Sequence, residues 1–141
     1  MILQYPVDLT AEESGQIAGL FGSLPGKTWG HDESDALIRA ADALIIVLAG
    51  YVDAGERIPL PSPARGRPVV SVAPLEAAKV RLHNAMLDAG VSDADMARTL
   101  GLPKSVVQQL RNPIFPGELA EVEMAFAALL AADKSQSDVS A

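Results

Sequence analysis

The stretch Ser92–Asn112, SDADMARTLGLPKSVVQQLRN, restricts this chain more than any other. It reads as two short helices joined by a tight turn. Ser92 is placed to cap the first helix, and Asp95 three residues on completes a reciprocal capping box. Ala97 precedes Gly101 by four residues. A small side chain at 97 lets a second helix cross closely, and a glycine at 101 supplies the left-handed residue that ends the first. Pro103 falls where an opening helical turn has no N–H partner to lose. Met96, Leu100, Leu102, Val107 and Leu110 are predicted to form a buried seam, with Lys104, Ser105, Gln108 and Gln109 outside. This is the pattern of a helix-turn-helix whose second helix enters a major groove. On that reading Ser105, Gln108 and Gln109 face base edges, while Arg98, Lys104 and Arg111 lie near phosphates. A plain core hairpin shares the apolar spacing; the polar outer face is what separates the two.

Charge is unevenly spread. The chain carries −7 overall, which argues against indiscriminate binding to nucleic acid. Residues 1–66 hold four Lys/Arg against nine Asp/Glu, whereas residues 79–112 hold five against three Asp. The basic excess therefore falls on the hairpin and the helix before it, and the acidic half suits a different, basic partner. There is no cysteine, which removes disulfides and thiolate metal sites. No apolar run is long enough to span a membrane, and the start, MILQYPV, lacks the basic segment and cleavage site of a signal peptide. A cytoplasmic location and no membrane partner are expected.

Ahead of the hairpin, Leu3, Tyr5, Val7 and Leu9 alternate with Ile2, Gln4, Pro6 and Asp8, the period of a strand. Pro6 cannot donate to a ladder, so one side of that strand should be only partly paired. TAEESG, residues 10–15, is a polar turn, and residues 16–21 return antiparallel, with a short third strand at 27–29. A long helix follows, capped by Asp32 or Ser34 and carrying Leu37, Ala40, Ala41, Leu44, Val47, Leu48 and Tyr51 at helical spacing. Gly55 ends it. The Pro-rich run from 56 to 68 must be extended, and residues 69–72 form a last strand.

Pro74 opens a further helix with an apolar stripe at Leu75, Ala78, Leu82, Ala85, Met86 and Ala89. Beyond the hairpin, a final helix from Glu118 to about Ala132 is predicted to bury Leu119, Val122, Phe126, Leu129 and Leu130. The fold class is α+β: a small β-β-β-α-β domain at 1–73, an all-α helix-turn-helix domain at 74–132 and a disordered tail at 133–141.

No catalytic constellation competes with this reading. His31 and His83 are far apart in sequence, lack a carboxylate partner at ligand spacing, and both read as surface residues. Gly22-Ser-Leu-Pro-Gly26-Lys27-Thr28 imitates a phosphate-binding loop but has three residues between its glycines where the motif needs four. No catalytic residue, metal or cofactor is expected.

Tyr5-Pro6, Leu24-Pro25-Gly26, Gly30, Ala36-Leu37, Ala40, Ala43-Leu44 and Gly55-Glu56-x-Ile58-Pro59-x-Pro61-Ser62 occur in the order found in the HicB antitoxin family, and the chain resembles that family. Ala85-Met86 and Ala97-Arg98-x-Leu100-Gly101 extend the resemblance to its helix-turn-helix branch. It departs at Ser23, where the family usually has aspartate, and in a shorter loop after Gly26 that lacks the family's common cysteine. The resemblance implies a partial RNase H-like N-terminal domain without nuclease activity. That domain would occlude a HicA-type toxin, a small RNA-cleaving enzyme. It also implies a C-terminal domain that binds operator DNA of its own operon as a homodimer or higher homo-oligomer. A transcriptional regulator whose first domain only oligomerises or senses a ligand is the alternative, and a small nuclease a third.

Overall fold

The computed structural model describes residues 3–22 and 24–132 in full, and the backbone alone from 133 to 140. Ser23 and the expected disordered tail at 133–141 lie outside the fully described residues. The elements are β1 (Gln4–Ala11), β2 (Ile17–Phe21), β3 (Lys27–Gly30), α1 (Glu33–Asp53), β4 (Val69–Ser71), α2 (Pro74–Ala89), α3 (Asp93–Leu100), α4 (Lys104–Arg111) and α5 (Leu119–Ser140). This is the mixed α+β order predicted from the sequence. They form two compact units: residues 1–50 with 59–73, and residues 51–58 with 74–141.

The first unit is a four-stranded antiparallel sheet, ordered β3-β2-β1-β4, together with α1 up to Gly50. Pro6 has a clear place in it. Gln4, Tyr5 and Pro6 are in register with β4, and Val7 to Ala11 with β2, so the proline sits where β1 changes neighbours. A residue without an N–H interrupts the ladder least at such a point. Leu3, Tyr5 and Val7 are buried, as the alternation predicts, but Leu9 is only half-buried and Pro6, expected on the opposite face, is buried too; Phe21 and Val70 are buried as well. The Tyr5 hydroxyl donates to the Pro59 carbonyl at 2.8 Å, which fastens the start of the Pro-rich run to the sheet.

On α1 the buried row is Ala36, Ala40, Leu44 and Leu48, at strict four-residue spacing. Asp32 is its cap, accepting from the Asp35 N–H at 2.8 Å. Gly30 is obligatory at the join: a Cβ there would stand 2.3 Å from the backbone nitrogen of Ala36. Lys27 and Thr28 open a strand rather than a helix, so the loop before them cannot cradle phosphates as the motif does.

The second unit packs α2, α3, α4 and α5 around Leu82, Met86, Met96, Val107, Leu110, Val122, Ala125 and Leu129. Each large side chain in such a core contributes about 1.5–3 kcal/mol by leaving water. Leu100 and Leu102 are partly buried against it, which completes the predicted seam. Phe126 also packs on this cluster, while Leu119 and Leu130 are exposed, contrary to the expectation that α5 buries all three. The stripe on α2 is wider than predicted. Lys79, His83 and Asn84 are buried with Leu82 and Met86, and His83 is thus an interior residue, not a surface one.

Candidate nucleic-acid interface

The turn between α3 and α4 is built as its sequence requires. The Ser92 hydroxyl accepts from the Asp95 N–H and the Asp95 carboxylate accepts from the Ser92 N–H, both at 3.1 Å. The Ser92 backbone N–H, and then its hydroxyl, hold the Asp95 carboxyl below the usual carboxylate range. Gly101 is left-handed, with φ 67°, and its N–H reaches the Ala97 carbonyl. Pro103 is the N-cap of α4.

This geometry gives α4 two distinct sides. Val107 and Leu110 enter the core, and Lys104, Ser105, Gln108 and Gln109 are exposed with no side-chain hydrogen bond among the described residues. A cleft of about 650 Å³ opens beside this side, lined by Asp53, Asp93, Ser105, Gln108 and Asn112 among others. Its carboxylates are engaged: Asp93 by Arg111 at 2.6 Å, and Asp53 by the Asn112 amide at 3.1 Å.

The predicted phosphate contacts divide. Lys104 stands free on the outer side, and Arg98, at the end of α3, is exposed but paired with Asp95. Arg111 is different. It is buried, and its Nε and Nη2 both donate to the His83 Nδ1, at 3.1 and 2.8 Å, while Nη1 holds Asp93. It cannot serve the backbone of a duplex without abandoning this network. With Nδ1 accepting, the proton of the neutral ring sits on Nε2 and is donated to the Glu56 carbonyl at 2.7 Å. Burial pushes His83 below the usual histidine value against the pull of that carbonyl, and the Arg111 guanidinium adds to the effect.

Lys79 completes the support. Its ammonium donates to the carbonyls of Gln109 (2.9 Å), Asn112 (3.2 Å) and Phe115 (2.6 Å). A cation on the last carbonyls of a helix meets the negative end of its dipole, so this residue fixes where α4 stops. Burial lowers its pKa, and the negative charge of Glu76 opposes that shift. Asn84 pairs both backbone groups of Ile58, receiving its N–H at 2.8 Å and giving an amide proton to its carbonyl at 3.0 Å. The basic excess counted over 79–112 is therefore partly internal: Lys79 and Arg111 hold the fold. A signal for this lay in α2, where positions 79 and 83 fall in line with Leu75, Leu82 and Met86.

No family model matches the chain. It is 33% identical over 129 residues to Antitoxin HicB of Escherichia coli K12, covering 90% of this chain and 94% of that relative. It is 36% identical over 109 residues to Antitoxin HicB 2 of Photorhabdus laumondii, covering 77% of each. It is 32% identical over 115 residues to Antitoxin HicB of Pseudomonas fluorescens, covering 72% and 79%.

Proposed function

Since the chain belongs to the HicB antitoxin family, we propose that it neutralises a cognate HicA-type, RNA-cleaving toxin through residues 1–73 and represses its own operon through the helix-turn-helix at 74–132. The first domain is read as a partial RNase H-like β-β-β-α-β sheet without nuclease activity. The observation that carries the DNA-binding half is the outer side of α4. Four polar side chains, Lys104, Ser105, Gln108 and Gln109, stand exposed on a helix whose opposite side is locked into a core. A glutamine can pair bidentately with adenine, so Gln108 and Gln109 read bases with Ser105, and Lys104 and Arg98 position the duplex.

One helix-turn-helix covers one half-site, so the repressor is a homodimer or higher homo-oligomer on a two-fold operator with half-sites about 34–36 Å apart. With Phe126 and Leu129 committed to the intrachain core, the exposed Leu119, Met124 and Leu130 of α5 are the apolar residues left for that contact. Titrating the promoter of its own operon with wild-type and Gln108→Ala protein tests the reading. The variant should lose about 1–3 kcal/mol on the specific site and relax its sequence preference. Equal losses on specific and random DNA would remove Gln108 from base recognition. Growth rescue on co-expression with the toxin separates an antitoxin from a regulator that only oligomerises or senses a ligand.

A further inference from the structure

The solvent side of α1 carries apolar surface that the fold does not use. Ser34, Ile38, Asp42 and Ile46 stand in one row at four-residue spacing, opposite the buried Ala36, Ala40, Leu44 and Leu48. Ile38 is 61% exposed and Ile46 66%. A single exposed isoleucine needs no explanation. Two of them bracketing one carboxylate, each a turn away, form a patch. The Asp42 carboxylate has no ion pair or hydrogen bond among the described residues. Around it, residues 32–42 hold Asp32, Glu33, Asp35 and Asp42 against Arg39 alone.

We propose that this side of α1, centred on Ile38, Asp42 and Ile46, is the surface on which the toxin docks. The proposal rests on the antitoxin reading given above and names the part of the first domain that performs it. An enzyme that cleaves RNA must present a basic surface to its substrate. A protein that offers a carboxylate between two apolar anchors, in a locally acidic setting, competes for that surface by charge and holds it by burial.

The outer side of the sheet lacks this complementarity. Its exposed apolar residues are Leu20 and Trp29. The Trp29 indole N–H is taken by Glu12 at 3.1 Å, and the Lys27 ammonium lies 5.2 Å from the ring centre and 3.2 Å from the same carboxylate. Charge there is already neutralised within the chain.

The test uses the full-length protein and the HicA-type toxin of its own operon, with titration calorimetry and growth rescue as readouts. Ile38→Gln and Ile46→Gln should each weaken toxin binding at least about tenfold. Asp42→Lys should weaken it and flatten its salt dependence. Melting temperature and operator affinity should stay at wild-type values in all three, because these side chains face solvent. Wild-type toxin affinity in the three variants, with loss in Leu20→Gln or Trp29→Gln, would move docking to the sheet and overturn the proposal. So would loss of self-association in the isoleucine variants with toxin binding intact. A wild-type protein that neither binds nor rescues defeats the antitoxin reading itself, and the docking proposal with it.

Discussion

The two units of this chain keep their interiors by different means. In the sheet unit the buried side chains are apolar: Leu3, Val7, Phe21, Ala40, Leu44 and Leu48, with Tyr5 directing its hydroxyl to a carbonyl. In the helical unit Lys79, His83, Asn84, Arg111 and Asn112 are buried, whereas among the described residues of the sheet unit the other buried polar side-chain group is the Thr28 hydroxyl, which has no partner. A sheet satisfies most of its own backbone through its ladders. Short helices do not. α3 and α4 have eight residues each, so their unpaired terminal groups are many relative to their length, and side chains must satisfy them. Lys79 answers that demand at the end of α4, on which the proposed DNA contacts depend, while His83 and Asn84 serve the backbone of Glu56 and Ile58 in the same way.

The largest expected effect is at Lys79. Lys79→Met keeps most of the apolar stem but removes the charged donor of three carbonyls, leaving those of Gln109 and Asn112 with one backbone N–H each and that of Phe115 with none. We expect a loss of about 3 kcal/mol in urea denaturation, since one acceptor is left unpaired and two others lose a charge-assisted hydrogen bond. Operator affinity should fall with it, because the end of α4 is no longer fixed. A loss below about 1 kcal/mol would mean that water replaces the ammonium without cost, and the contrast between the units would lose its main support.

Arg111 and Lys104 sharpen the contrast within a single helix. Arg111→Met removes the partner of both His83 and Asp93, and should cost about 2 kcal/mol of stability, less than the roughly 3–5 kcal/mol of a fully buried pair because neither charge is wholly enclosed. In the folded fraction the salt dependence of operator binding should be unchanged. Lys104→Ala should do the reverse, leaving stability intact and reducing the salt slope by about one. A reduced slope in the Arg111 variant would return it to the phosphate contacts that its sequence position suggests.

The His83 network should also make the helical unit sensitive to acid. The folded protein holds the ring neutral, with its pKa below the usual value because of burial. The unfolded chain therefore binds the proton more readily, and stability rises with pH in the window where the two states differ. The contribution is complete above the unfolded value near 6.5 and is lost as pH falls through it toward the folded pKa. Denaturation midpoints measured between pH 7 and pH 5 should decline in the wild type, and decline less in His83→Gln. An equal slope in both would place the acid sensitivity elsewhere.

How far the sequence revealed this molecule depends on which of the two interiors is asked about. Period-two and period-four apolar spacing gave the strands, α1 and the seam of the hairpin, because apolar burial leaves a pattern along the chain. The capping box, Gly101 and the place of Pro103 were legible because caps are local: donor and acceptor lie within three or four residues. Lys79, His83 and Arg111 were not. Their partners lie between 18 and 36 residues away, and a charged residue at a stripe position has the same letters whether it is buried or solvated. The net charge of 79–112 therefore overstates the basic surface, because Lys79 and Arg111 are buried. The exposed isoleucines of α1 are legible only by omission, since Ile38 and Ile46 fall outside the row Leu37, Ala40, Ala41, Leu44, Val47, Leu48 and Tyr51.

The smallest expected effect compares a cap in each unit. Asp32 caps α1 through the Asp35 N–H at 2.8 Å, and Ser92 caps α3 through the Asp95 N–H at 3.1 Å. Either replacement by alanine removes one acceptor from a helix start and should cost about 1 kcal/mol in an isolated helix. The settings differ, however. α1 has 21 residues and a long buried row, so a frayed first turn sacrifices a small part of its hold. α3 has eight residues, so the Asp95 N–H that loses its acceptor is a larger share of its hold, even though the Ser92 N–H still donates to the Asp95 carboxylate. Ser92→Ala should therefore lower stability by about 1 kcal/mol or slightly more, and Asp32→Ala by about half of that. Amide hydrogen exchange locates the effect: faster exchange should spread through α3 to the turn at Gly101 in the first variant, and stop within the first turn of α1 in the second. Equal costs with fraying confined to one turn in both would show that helix length does not set the dependence on side-chain caps.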